Sequence, residues 1–474
     1  MLLNQAVPLN TEEESRSDWL ALISRGSLYF LIGGLLAFGK DFAYLGIDTP
    51  LIKIYISEIF IAFNILTIAV DLLRGRLDPK IKYVVWFIPV IIYGGILATF
   101  GFFEHGVLAI RQFAMVYYCI TAVLIFVRFN RIDVNRLFLA AICCSIARIL
   151  LYIVNNHYID IHLASIGSLS YFAGIIIITG SYYYMSRLPK RRQFFVLALL
   201  ILPFTHMLIR PKSSYFASIF ALIIFYCALS VIRGRFCKPN WKRAVIVSSV
   251  TLAIAALSFV AALIIENPEK LFVEIRSEFV ASISPQIASD LVEPPVGSQV
   301  EPSVGSQVEP PVESRADSYS RGQQKNAHWR IVVWEKAFEE LSEQPVFGKG
   351  FGSYFTAPRL KDLKYDYSKN IDPHNSYIHL LMRTGLVGFF LFALTHLFIL
   401  YKAFIVMRRG SNDQWRMLKS WLIIFIGFWA VAFLNVVLEN SYGAIPYWFV
   451  AGVLLIICDK VEVRRQGAES NTLE

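Results

Sequence analysis

The chain has 474 residues, 56% of them hydrophobic and 17% charged, with a formal charge of +10 at pH 7. Soluble domains are about 45–50% apolar and about 25% charged, so this composition excludes an ordinary soluble globular protein and points to lipid as the main solvent. Nor does the positive balance indicate nucleic acid, because Lys and Arg sit in short loops between apolar stretches.

The first 17 residues are polar and acidic and do not resemble a cleavable signal peptide, which predicts a retained first helix. Nine apolar segments follow, at 18–39, 51–73, 83–103, 107–127, 137–154, 162–185, 193–209, 213–232 and 244–265; three more lie at 386–407, 419–439 and 445–459. Each approaches the roughly 20 residues that a helix needs to cross the hydrocarbon core. In lipid the backbone must satisfy itself, so the expected fold is all-α and polytopic, with about 12 transmembrane helices. Residues 1–265 hold the first nine, 266–373 form one large loop, and 374–474 hold the last three and a tail.

Orientation follows from the short loops. Arg74, Arg76, Lys80 and Lys82 mark one side, as do Arg128, Arg131 and Arg136, then Arg187, Lys190, Arg191 and Arg192, then Arg233, Arg235, Lys238, Lys242 and Arg243. Later loops on the same side carry Arg408, Arg409, Arg416 and Lys419, and then Lys460, Arg464 and Arg465; the opposite loops at 155–161 and 440–444 have neither Lys nor Arg. Positive loops stay inside, which predicts cytoplasmic termini and a 266–373 loop on the outer face. Cys119, Cys143, Cys144, Cys227, Cys237 and Cys458 form no CxxC pair and no Cys/His cluster, so neither a disulfide framework nor a zinc site is expected.

The outer loop contains a period of eight: VEPPVGSQ at 292–299, VEPSVGSQ at 300–307 and VEPPVESR at 308–315. Pro, Gly and Ser at this density cannot bury a core, and the repeat reads as a disordered, tolerated tandem duplication. Order is expected over 326–373. Trp334, Ala337 and Leu341 recur at i, i+3 and i+7, predicting an amphipathic helix over 327–343 with Arg330 on the same stripe. Gly348-Lys349-Gly350-Phe351-Gly352 lacks the Lys-Ser/Thr ending of a phosphate loop and reads as a turn that lets backbone pack closely. Asp372-Pro373-His374-Asn375-Ser376 then opens a long apolar helix. A helix N-terminus favours an uncharged imidazole and attracts anions, so His374 is read either as a cap or as a proton acceptor.

Five cations fall outside the inside-positive pattern: Arg210 and Lys212 in a tight outer turn, Arg111 and Arg148 near the outer ends of two helices, and Arg383 beside the segment at 386–407. Intramembrane cations face a partner or a watery cavity. Carboxylate partners at that level are few, with Glu58 and Glu439 as candidates, and the excess of positive charge suits an anionic ligand such as a lipid diphosphate.

His374-Asn375, followed after nine residues by Gly385-Leu386-Val387-Gly388, resembles the signature of bacterial O-antigen ligases and related surface-polysaccharide polymerases. The stretch Trp329-Arg330, Trp334, Pro345 and Gly348-x-Gly-x-Gly is similar to that family's outer loop, and Arg210 to its arginine between two mid-chain helices, although Pro211 departs from the usual text. The resemblance implies a GT-C-like, metal-independent, inverting glycosyltransferase of the bacterial inner membrane with no cofactor and a periplasmic active site. Its donor would be a glycan on undecaprenyl diphosphate and its acceptor lipid A–core; a second lipid-linked glycan, as in a polymerase, or protein Ser/Thr remain open. Arg210 and Arg330 would hold the diphosphate, His374 would act on the acceptor hydroxyl, and Arg111, Arg148, Lys212, Asn375 and Arg383 would bind substrate. A lipid-linked glycan transporter is a different class; it would show two related halves and midplane charges, and no internal symmetry is visible. Deletion of 292–315 is expected to leave activity nearly intact at normal expression, as read by surface-glycan analysis of a complemented strain.

Overall fold

The computed structural model describes residues 19–49, 53–74, 80–129, 133–157, 170–185, 315–358, 372–409 and 411–470. The segments expected at 193–209, 213–232 and 244–265, and the repeat at 292–314, lie outside them. In chain order the elements are α1 (Trp19–Phe38), α2 (Lys40–Ala43), the strands β1 (Gly46–Asp48) and β2 (Lys53–Tyr55), α3 (Ile56–Leu73), a 3-10 turn (Lys80–Trp86), α4 (Ile88–His105), α5 (Val107–Tyr117), α6 (Ile120–Phe129), α7 (Val134–His157) and α8 (Ser170–Met185). After these come α9 (Arg315–Glu343), α10 (Ser376–Arg409), α11 (Asn412–Leu434) and α12 (Ser441–Ser470). Among the described residues, seven helices are long and apolar enough to cross a membrane, or eight if the bent pair α5 and α6 forms one span.

Several boundaries differ from expectation. The segment expected from 51 starts as a helix only at Ile56, because Gly46↔Tyr55 and Asp48↔Lys53 pair in a short antiparallel hairpin. The continuous span expected at 107–127 is broken at Tyr118 and Cys119 and bent by 48°. The amphipathic helix begins at Arg315 rather than 327, and the segment expected at 386–407 begins at Ser376.

The helices read inside out relative to a soluble protein. On α3 the buried stripe is Ser57, Ile61, Asn64, Thr67 and Asp71, while Leu66 and Leu73 are exposed. Asn64 accepts from Ser24 Oγ at 2.5 Å and donates to Ser27 Oγ at 2.8 Å, which fastens α3 to α1. Asp71 pairs with Arg128 of α6. Lipid is as apolar as Leu, so helices associate through such polar contacts, each worth about 0.6 kcal/mol on average. At the other extreme is α12, whose apolar span within Ser441–Val463 is almost wholly buried and which packs against α1, α6, α10 and α11.

At 34 residues, α10 would span about 50 Å, more than the roughly 30 Å hydrocarbon core. Its ladder is interrupted at Gly385, where φ is 61° and ψ −168°. The orphaned backbone groups are taken up elsewhere. Met382 O accepts from Lys349 N and Arg383 O from Gly350 N, both at 3.0 Å, and Thr384 O accepts from the Tyr93 hydroxyl at 2.9 Å. Beyond the break, Leu386 N donates to Pro345 O at 2.9 Å and Val387 N to Val346 O at 3.1 Å. The Gly348–Gly352 turn thus packs backbone to backbone against the break, as its glycines suggest. A Cβ on Gly385 would lie 2.3 Å from Val346 O, and one on Gly348 2.4 Å from Gly385 N. Gly385→Ala combines that clash with a positive φ, and is expected to destabilise the protein by at least about 1 kcal/mol. Thermal unfolding in detergent, compared with Gly26→Ala, whose added methyl meets nothing within 4 Å, checks this.

Candidate active site

The first turns of α10, the loop before them and the side of α9 form one unit. Val332, Val333 and Ala337 of α9 bury against Met382 of α10 and against Phe355 and Ala357, with Trp329 and Ile378 at the edge of the cluster. Trp334 donates its indole N–H to Pro373 O at 2.7 Å and so pins the residue before His374. Lys349 returns to α9 through Glu343 at 2.7 Å, an ion pair that raises the lysine pKa. Sequence periodicity placed Trp334 and Ala337 on the inward stripe; Val332 and Val333, off that count, are buried beside them.

His374 has φ 50°, among the described residues the one non-glycine with positive φ. Such a conformation costs on the order of 1–3 kcal/mol and persists only where the surroundings enforce it. Here Trp334 holds one side and Asn375 the other. Asn375 Oδ1 accepts from Tyr377 N at 3.0 Å and from Ile378 N at 3.1 Å, so the helix cap is Asn375 and not His374. The imidazole stands edge-on to Trp329, with ring centroids 4.9 Å apart. Crowding by the protein lowers the His374 pKa from its ordinary 6.5; the nearby Arg330 guanidinium lowers it further, while Asp372 and Glu439 oppose both effects. The net effect favours the uncharged ring, which can accept a proton.

Arg383 is almost fully buried. Its Nε donates to His379 Nε2 at 3.3 Å, and its Nη1 to Ser353 O at 2.7 Å and Ser353 Oγ at 2.5 Å. Its Nη2 is buried without a hydrogen-bond partner among the described residues, as is Asn375 Nδ2. His379 Nδ1 faces Glu439 Oε1 at 3.2 Å, and the other oxygen of Glu439 accepts from Ser376 Oγ at 2.6 Å. Ser376 Oγ also accepts from Val437 N at 2.9 Å and Leu438 N at 3.1 Å, stapling the start of α10 to the loop before α12.

Of the residues expected at the site, His374, Asn375, Arg330 and Arg383 therefore lie in one region. Arg111 is exposed on α5, beside Gln112, whose Oε1 accepts from Gly352 N at 2.7 Å. Arg148 is buried, with Nη1 3.4 Å from Leu35 O. Arg210 and Lys212 lie outside the described residues. Glu58 holds Tyr55 N at 2.8 Å and the Tyr117 hydroxyl at 3.2 Å. His379 is the residue that sequence reasoning passed over. Its signal was a histidine four residues before an arginine inside an apolar helix, which places the two side chains on one face.

Arg330→Ala is expected to raise the His374 midpoint, but not back to 6.5, because crowding, the larger cause, remains. Imidazole NMR, or the pH dependence of carbethoxylation at His374, reads the shift; an unmoved midpoint means Arg330 does not bear on the ring.

No curated protein matches the sequence. A family model described as O-antigen ligase matches residues 195–393, less than half of the chain but inclusive of the α9 side, the glycine turn, His374 and the break at Gly385. That match, on a multi-helix membrane protein, supports an O-antigen ligase-family assignment.

Proposed function

We propose that this protein transfers a glycan from undecaprenyl diphosphate to a hydroxyl of lipid A–core at the periplasmic face of the bacterial inner membrane. Ligase- or polymerase-type glycosyl transfer and lipid-linked glycan substrates come with the family. The finer reading rests on one observation: His374, in a positive-φ turn at a helix start, stands close enough to Arg330 for the guanidinium to lower its pKa.

In this reading the acceptor hydroxyl gives its proton to His374 as its oxygen attacks the anomeric carbon. The bond from that carbon to the diphosphate oxygen breaks on the opposite face, which inverts the centre, and the electron pair leaves on the diphosphate. Arg330 and Arg210 take the growing negative charge, for which permanently charged, bidentate guanidinium groups are suited. Donors aimed at charge that develops in the transition state supply the largest catalytic contribution in many enzymes. Asp372 and Glu439 offset the imidazolium formed at His374. Arg383 and Asn375 contribute through one buried donor each, Nη2 and Nδ2. Arg111, Arg148 and Lys212 complete the proposed electropositive lining for the lipid-linked donor.

Arg210→Ala, Arg330→Ala and His374→Ala are each expected to lower transfer by about 100-fold or more while the protein still inserts. Surface glycans of a deletion strain complemented with each variant test this, and full activity of any one removes that residue's role. In the same strain, long chains left on the lipid carrier support ligation; single repeat units on lipid A–core support polymerisation instead.

A further inference from the structure

Beyond His374 and Arg330, a relay of side chains runs through the first half of α10, and its central member, His379, has no part in the proposed reaction. From Glu439 it runs to His379, on to Arg383 and then to Ser353, with separations of 3.2, 3.3 and 2.5 Å. The links join three segments far apart in sequence: the loop before α12, the first half of α10 and the loop after the glycine turn. His379 is 2% exposed and Arg383 1%, so water cannot substitute for either. The direction of the relay is fixed by chemistry. Arg383 has only donors, so His379 Nε2 must offer its lone pair; the ring hydrogen is then on Nδ1, where the Glu439 carboxylate accepts it. A ring with hydrogen on Nε2 would present a donor to a donor.

We propose that His379 is a positioning residue: through Glu439 on one side and Arg383 on the other, it sets the His374 turn against the glycine-rich loop. The proposal rests on the glycosyl-transfer reading above. Two connections make it specific. Glu439 uses its second oxygen on Ser376, two residues from His374, so the carboxylate grips the helix start and the relay at once. Arg383 O accepts from Gly350 N and its side chain donates to Ser353, so the arginine holds the C-terminal end of the glycine turn at two points. Tilting the imidazole disturbs the His374 end and the loop end together. Misplacement of a reacting group by about 1 Å costs on the order of 100-fold in rate.

Two substitutions separate positioning from packing. His379→Gln keeps a donor for Glu439 and an acceptor for Arg383; His379→Phe keeps the ring volume and deletes both. Each full-length variant is reconstituted with lipid-linked glycan extracted from the deletion strain and with lipid A–core acceptor. For His379→Phe, kcat is expected to fall about tenfold or more with the donor KM within about twofold of wild type. His379→Gln is expected to retain kcat within about threefold of wild type. The opposite order, with Phe active and Gln impaired, shows that the site requires volume and overturns the proposal, as does a His379→Phe loss confined to KM. Thermal unfolding in detergent identifies misfolding. If His379→Phe unfolds early, His379→Leu, which also deletes both polar links, replaces it under the same criteria. A fully active His374→Ala sinks the glycosyl-transfer reading itself; an inactive His374→Ala beside a fully active His379→Phe sinks only the relay.

Discussion

The break in α10 at Gly385 is the constraint on which the rest of this region depends. In a membrane-embedded helix an interrupted ladder leaves donors and acceptors that lipid cannot satisfy, each costing several kcal/mol. Here the stretch from Pro345 to Gly350 and the Tyr93 hydroxyl supply the missing partners. The glycine turn can do so only because Gly348 and Gly385 bring two backbones together with no side chain between them. Closing the break docks the loop, the loop carries the end of α9, and α9 delivers Trp329, Arg330 and Trp334 to the helix start.

A second layer of order comes from polar contacts within the bundle. Asn64, Thr67 and Asp71 fix α3 by hydrogen bonds to α1 and an ion pair to α6, and His396 and Tyr447 meet at 2.5 Å between α10 and α12. Aromatic rings surround that last pair, with Phe392, Trp429 and Trp448 each within 5.3 Å of the imidazole. Buried polar pairs of this kind fix register where dispersion alone would allow helices to slide. The second half of α10 is therefore tied to α12 through His396, and its start to the loop before α12 through Glu439.

The membrane class and the placing of His374 at a helix entry were legible because both are local: long apolar runs, and a Pro-His-Asn sequence opening one of them. The glycine run was legible as a site of close packing for the same reason. What the sequence did not disclose are pairings across distance or choices between neighbours. Glu439 stood out as a possible partner for arginines, yet it meets His379 and Ser376, sixty residues and more away in sequence. Asn375, expected to bind substrate, spends its oxygen on the helix cap, a duty that spacing left open for His374 beside it. The bend at Tyr118 and Cys119 has no Pro or Gly to announce it, and the hairpin at 46–55 was absorbed into an apolar run.

The backbone of His374 has a consequence of its own. At φ 50° any L side chain is under conformational load, and glycine is the residue that relieves it. A glycine there would ease the turn and delete the imidazole in one step, so selection for a more stable fold and selection for a proton acceptor push this codon in opposite directions. Stability screens run without an activity readout would then enrich exactly the variants that abolish the proposed chemistry, and a thermostable homologue lacking histidine at this turn would be a poor surrogate for the working protein.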